Sequence, residues 1–394
     1  MAEDDAPQTQ QSPVQDSLAA EDPLVDAGAN EDDEYSGYEE GTGFGMALFD
    51  ARNAFCELNR HLMLWNVAHL WNKGSRFLYN RYRHWGKVFV RDEPGKPAII
   101  IHSKEGIAQG CVQSMNAYAV GTLPLVQDMR AAIPEALQPW FADDAGAAGK
   151  AKYNAACMEY LDIHGPQFGY YLEQAKSWYI CKAEDEEVAR QAFEEKGLTI
   201  KYSRGRKYLG GFIGSADSKE DWLNEKVADW ADAVETLAKI AVQYPQTAYA
   251  GFVFCLQAEW GYVSRVVPDT AAFFQPLEVC IRKYFCPALI GIEAHEIDGK
   301  YRELLSHSVK KGGLAIRNPL DQAMHVHATS KAATRHLVTS LVDEERVFDH
   351  NSHRITATMA GNAARSDRLE RRAGFPRCSL GWEASSEAAR QTSV

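Results

Sequence analysis

Two neighbouring carboxylates, Asp143 and Asp144, follow an apolar run that ends in Trp140-Phe141-Ala142, and a third, Asp50, closes the run Gly45-Met46-Ala47-Leu48-Phe49. Acids crowded at a strand end repel one another at neutral pH, so a site that keeps them ionised calls for a divalent cation. Two cations bridged by such acids can activate a hydroxyl and stabilise a departing pyrophosphate, which makes this a pattern for two-metal phosphoryl transfer. An Asp-Asp pair also serves as a turn or a helix cap, so the surrounding elements have to decide between the two uses.

Those elements read as strand, then helix, with Asp50 at the junction. Residues 46–50 form a buried strand, and 57–71 carry Leu58, Leu62, Trp65 and His69 at helical spacing. A helix over 75–85 leads to two β-rich runs, 87–90 and 98–101, split by the turn formers Pro94-Gly95. A long apolar segment, 112–133, is interrupted by Pro124, and Gly146 and Gly149 leave room for a return strand after the Asp pair. Residues 153–163 read as a helix bounded by Gly165-Pro166, followed by a strand near 177–181, a charged helix over 183–196 and a strand pair across Gly210-Gly211. From about 218 onward strands stop, and 221–242, 247–262, 271–284 and 323–342 read as helices. The fold class is α+β: an antiparallel sheet with packed helices, followed by a helical domain. The divisions are a disordered acidic tail over 1–43, a mixed unit over 44–216, a helical unit over 217–345 and a loosely ordered end over 346–394.

Charge supports setting the tail apart. The chain of 394 residues has a net charge of -12, yet residues 1–40 hold thirteen acids and no Lys or Arg, leaving 41 acids against 42 Lys and Arg elsewhere. A segment so acidic and so poor in large apolar groups cannot offset its own ordering entropy. The remaining chain, 45% hydrophobic overall, is long enough to bury one large core or several smaller ones. Eight cysteines without a CxxC pair read as reduced thiols. No apolar run reaches the roughly 18 residues of a membrane span, and the acidic start is unlike a signal peptide, so we expect no membrane and an intracellular protein, in cytoplasm or nucleus.

The order of these segments resembles the palm domain of a reverse transcriptase. Asp50-Ala51-Arg52-Asn53-Ala54-Phe55 is similar to the first palm motif, 106–114 to the second, Phe141-Ala142-Asp143-Asp144 to the third, 169–177 to the fourth, and Lys207-Tyr208-Leu209-Gly210-Gly211 to the primer-contacting fifth. Further on, Tyr244-Pro245-Gln246-Thr247-Ala248-Tyr249 and the stretch 311–319 resemble retrotransposon polymerases, most nearly the tyrosine-recombinase-bearing (DIRS-like) group. The resemblance implies an RNA-directed DNA polymerase palm and thumb. Its implied cofactor is a pair of magnesium ions, or manganese in their place, on Asp50, Asp143 and Asp144. Its implied partners are an RNA template, a DNA primer and deoxynucleoside triphosphates. By the same resemblance Phe55 lies under the incoming sugar and excludes a 2′-hydroxyl, Gln109 and Gly110 let the backbone approach the nucleotide, and Lys176 sits near the triphosphate. Arg204, Arg206, Lys207, Tyr208, Leu209 and Gly210 meet primer and template.

The residues carry other readings beside these. Phe55 suits a plain core position. Nine Lys and Arg against two acids between Arg60 and Lys104, interleaved with aromatics, and the cluster Lys201, Arg204, Arg206 and Lys207 suit phosphate contact, but equally a solvated face. The pattern departs from the family at Cys111-Val112-Gln113, where Asp-Pro-Leu is usual, and we expect the fingers region that precedes the first motif to be missing ahead of Met46. Two further functional classes therefore stand beside the polymerase: an inactive retroelement-derived protein that only binds nucleic acid, and a pseudo-polymerase scaffold acting through its acidic tail.

Overall fold

Among the residues described by the computed structural model, 41–91, 93–342 and 348–373, the chain forms nine strands. They are β1 (Gly45–Phe49), β2 (Gly86–Val90), β3 (Ile99–Ser103), β4 (Trp140–Phe141), β5 (Asp144–Gly149), β6 (Trp178–Cys181), β7 (Lys201–Ser203), β8 (Gly205–Tyr208) and β9 (Gly211–Gly214). The expected disorder of 1–40 and of the chain beyond 373 lies outside the described residues.

β1 is the middle of a five-stranded sheet ordered β4-β5-β1-β6-β7, antiparallel throughout except for the parallel pair β6 and β7. Its neighbour β5 reads Asp-Ala-Gly-Ala-Ala-Gly, with no β-branched residue to favour a strand. Position decides instead: β5 is buried between β1 and the short β4, and Ala47, Ala145 and Ala147 take almost no room. The helix Ala151–Phe168 can therefore lie close against the sheet, where Asn154 donates to the carbonyls of Gly45 and Gly149 at 3.0 and 3.1 Å. Helix Ser114–Ala132 completes this core with Leu125 and Met129.

Gly43, expected in the tail, is held by the fold. Its N–H donates to Asp185 Oδ1 at 3.1 Å and its carbonyl accepts from the Tyr179 hydroxyl at 2.6 Å. A second departure concerns Pro166, expected to bound its helix. The helix continues to Phe168 and stops at Gly169, φ 79°, because the N–H groups of Gly169 and Tyr170 close back on the carbonyls of Gly165 and Pro166. An added Cβ at Gly169 would collide with the Glu57 carbonyl, in a left-handed conformation that already disfavours side chains. We expect Gly169→Ala to cost at least about 2 kcal/mol in urea denaturation.

A smaller core holds Leu58, Met63, Val67, Leu78 and Tyr118 between the helices Arg60–Leu70, Asn72–Tyr82 and Ser114–Ala132. The pair β2 and β3 stands out from it, exposed along nearly its whole length. Arg60, 4% exposed, anchors the base of this hairpin by donating to the carbonyls of Ser103, Glu105 and Gly106. A separate core, built on Trp230, Phe252, Trp260, Phe274 and Phe285, fills the helical half, where Ala216–Ala241 is the longest helix among the described residues. Part of the stretch 346–394, expected to be loosely ordered, is helical, and 374–394 lie outside the described residues. His350–Ala373 forms a helix packed on Pro319–Val342, with the Phe348 ring 5.9 Å from that of His336. Packing on a neighbouring helix supplies an order that this polar segment does not announce alone.

Candidate active site at the acid edge of the sheet

The site follows from strand register. β1 and β5 pair Gly45 with Gly149 and Phe49 with Ala145, so the next step along both strands sets Asp50 opposite Asp144. β4 and β5 are joined through Ala142, at φ 56°, and Asp143, which puts the second acid at the tip of a two-residue turn beside the first. The fourth sequence segment closes in from the β6 side. Glu173 donates its N–H to the Asp50 carbonyl at 2.8 Å, and the Asp50 N–H donates to Ser177 Oγ at 3.2 Å. Lys176 Nζ stands 3.9 Å from Asp50 Oδ2, with both side chains well exposed.

Partial burial raises the Asp50 carboxyl above its ordinary value; Lys176 pulls it back, and Glu173 and Asp143 push it up further. Asp144 is raised by burial first and then by Asp143 and Asp50. The three acids thus feel one another across a single edge. A carboxyl raised in the folded state contributes stability that is complete below its unfolded pKa and is lost as pH climbs through the folded one. The crowded edge therefore costs stability at neutral pH. We expect Asp144→Asn to raise the melting temperature at pH 7 by no more than about 2 °C, given solvent screening, and the gain to vanish below about pH 4 in thermal melts.

The donor set fits hard divalent cations in one particular mode. Among the described residues no group of three or more His, Cys, Asp and Glu side chains stands close enough to hold a metal alone. Magnesium is commonly bound by one or two carboxylates, with waters and substrate phosphates completing its shell, and mutually repelling carboxylates at an open edge suit that arrangement.

The remaining expected residues fall around this edge. The Phe55 ring stacks on Tyr118 with centroids 4.7 Å apart. Ile107 donates its N–H to the Phe55 carbonyl at 2.7 Å, which draws the exposed Gln109 and Gly110, φ 82°, towards the first segment. At Gly106 an added Cβ would strike the Cys56 carbonyl, so this crossing of segments requires glycine. β8 and β9 form a hairpin whose tip, Leu209 and Gly210 at φ 48° and 79°, is a tight turn of the kind that favours glycine. Tyr208, within electrostatic reach of Asp144, is half-buried. Arg206 lies over the Trp178 ring at 3.6 Å and Lys207 is exposed, but Arg204 is paired with Glu186 at 2.8 Å and donates to the Cys181 carbonyl. A cleft of about 500 Å³ beside the hairpin is lined by Arg206, Lys207, Phe212 and Trp222 and includes none of the three acids.

Sequence reasoning passed over several residues. The buried hydroxyls of Tyr118 and Tyr170 have no hydrogen-bond partner among the described residues, and both are raised by burial and then by neighbours that include Asp143. Tyr262, from helix Gln257–Val266, donates to the Leu209 carbonyl at 2.6 Å and leaves no room for a Cβ on Gly210. Buried aromatics ordinarily signal core, so nothing local marked them.

No protein-family model matches the chain, and no curated protein matches it. Among solved structures it is similar to apo telomerase from Candida tropicalis, at 10% identity over 79% of this chain and 53% of that one, with a TM-score of 0.38. It is also similar to telomerase from the same species in complex with a TWJ fragment of telomeric RNA, at 12% identity over 76% and 49% with a TM-score of 0.38. The corresponding complex from Candida albicans gives 11% identity over 81% and 51%, with a TM-score of 0.35. The chain spans about half the length of these three structures. No helix among the described residues is long and apolar enough to cross a membrane. Function has therefore to be read from the acid edge itself.

Proposed function

We propose that the acid edge is the catalytic centre of an RNA-directed DNA polymerase of retroelement descent, which adds deoxynucleotides to a primer 3′-hydroxyl. The observation that carries this reading is the register that sets Asp50 opposite Asp144, beside the Asp143 turn, with Lys176 at 3.9 Å. In each addition the primer 3′-oxygen bonds to the α-phosphorus, its proton leaves to water, and the bond from that phosphorus to the bridging oxygen breaks as pyrophosphate departs. Asp50 and Asp143 would hold two magnesium or manganese ions, with Asp144 beside them. Bound there, the ions supply charge neutralisation at the attacking and leaving oxygens.

The chain's own residues do the positioning. The Lys176 ammonium, on a flexible and exposed stem, offers a point charge to the triphosphate. The Leu209–Gly210 tip, held by Tyr262, presents a fixed backbone to the primer, and Arg206 and Lys207 offer charge to its phosphates. Phe55, backed by the buried Tyr118, makes a rigid floor against which a 2′-hydroxyl would press. We expect Phe55→Val to raise ribonucleotide use relative to deoxynucleotide use by about 10²-fold in single-addition competition assays. An unchanged ratio would remove Phe55 from the sugar pocket.

The reading is tested by extending a labelled DNA primer on an RNA template with magnesium or manganese. Template-directed addition is the expected result. Primer–template binding without addition under either metal would overturn it and return the chain to the class that only binds nucleic acid.

A further inference from the structure

The surface around helix Asn72–Tyr82 and the β2–β3 ribbon is both apolar and basic. The helix buries Gly74, Leu78 and Tyr82 and turns Lys73, Arg76, Phe77 and Arg81 to solvent. The ribbon pairs Val88 with Ile101, Phe89 with Ile100 and Val90 with Ile99, and all six are exposed, Phe89 by 65%. A two-stranded ribbon is marginal alone, and an exposed apolar patch of this kind marks a surface that something covers. Its apolar pairs are framed by charge that is mostly positive. All eight Lys and Arg between 72 and 104 are exposed, against Asp92 and Glu93, and Lys104 lies over the Trp85 ring at 4.5 Å.

The complementary chemistry lies within this chain. Residues 1–40 carry thirteen acids and no Lys or Arg, interspersed with Val14, Leu18, Leu24, Val25, Tyr35 and Tyr38. The chain's whole negative excess sits there, since the remainder is near neutral. The segment joins the fold at Gly43, pinned beside Asp185 and Tyr179. Forty residues reach at most about 130 Å, and a folded unit of about 170 residues is only about 40 Å across. Every part of the ribbon is therefore within reach. Tethering also makes this docking intramolecular, at an effective concentration set by the length of the linker.

We propose that the acidic segment 1–40 docks on the basic, apolar face formed by helix Asn72–Tyr82 and the β2–β3 ribbon, and so competes with nucleic acid for that face. The acids meet the Lys and Arg rim while the interspersed apolar side chains seat against one side of the ribbon, where Val88, Val90, Ile99 and Ile101 stand together. Contact driven by charge at an exposed surface weakens as salt shortens the screening length. The proposal stands whether or not the acid edge catalyses, because neither readout below requires turnover.

Carbodiimide cross-linking of the full chain at low ionic strength, read by mass spectrometry, is expected to join carboxylates of 1–40 to Lys73, Lys87, Lys96 and Lys104. The yield should fall at least about fivefold in 0.5 M salt, where the screening length is about 4 Å. Cross-links spread evenly over these and over Lys226, Lys239 and Lys300 would overturn the docking. The full chain with every Asp and Glu of 1–40 changed to Asn and Gln should bind a short single-stranded RNA about tenfold more tightly than the natural chain, with a steeper salt dependence. An affinity unchanged within twofold would overturn the competition.

Discussion

Asp143→Asn should lower the rate of primer extension by about 10³-fold or more, while leaving primer–template affinity within about twofold. The substitution keeps the shape of the side chain and removes its charge. Asp143 sits at the tip of the β4–β5 turn, partly exposed. A loss on that scale, about 4 kcal/mol, cannot then be charged to unfolding. Melting curves should show the variant as stable as the natural chain or slightly more so, because the mutual repulsion that raises Asp144 is relieved. Asp50→Asn should fall as far, since Asp50 faces the same edge from β1. Lys176→Ala should fall less, by about 10-fold to 10²-fold, because an exposed ammonium on a flexible stem contributes charge rather than coordination. Equal losses in all three would point to general disruption of the edge. Extension that survives Asp143→Asn would refute the metal-ligand assignment. Single-turnover extension with saturating primer–template separates the chemical step from binding.

The acid edge was legible in sequence because its parts use strong local signals. An apolar run ending in Asp50 and a Phe141-Ala142-Asp143-Asp144 run followed by glycines mark two strand ends without knowledge of the fold. That they meet is a matter of register, which depends on β5 lying beside β1, and β5 is all Ala, Gly and Asp. Pairing there is dictated by tertiary burial, which local propensity does not encode. The same limit explains the arginines. Arg60 and Arg204 looked like their basic neighbours, yet one is buried under three carbonyls and the other is paired with Glu186, eighteen residues before it. A long-range partner chosen by packing leaves no period to read. Gly106 and Gly169 each mark a place where one motif-bearing segment presses on the Cys56–Glu57 backbone, and only a residue without a Cβ fits there. The helix over 350–373 was missed for the opposite reason, as its order comes from its partner helix and not from its own composition.

Arg302→Ala is expected to destabilise the helical unit by about 3–5 kcal/mol, more than any single change at the acid edge. Arg302 is 5% exposed and its guanidinium is spent entirely inside the fold. Nε and one terminal nitrogen meet the two oxygens of Glu278 at 2.7 Å each, and the carbonyls of Ile316 and Arg317 accept at 2.7 and 3.2 Å. Removing the cation strands a buried carboxylate and two carbonyls together, which is what makes the loss so large. The double change Glu278→Leu with Arg302→Met separates the two contributions. Replacing a buried ion pair by apolar groups is close to neutral, so whatever loss persists measures the loop carbonyls alone, and about 1–3 kcal/mol should remain. That remainder has a route to the hairpin. Gln257 ties the same loop by donating to the Ala315 carbonyl and accepting from the Arg317 N–H, and its helix carries Tyr262, which holds Leu209. If the loop sets that helix, the double variant should show faster amide exchange across Leu209–Gly210 as well as around Ile316. Exchange confined to the loop would show that the hairpin is positioned by β8 and β9 without help from the helical unit.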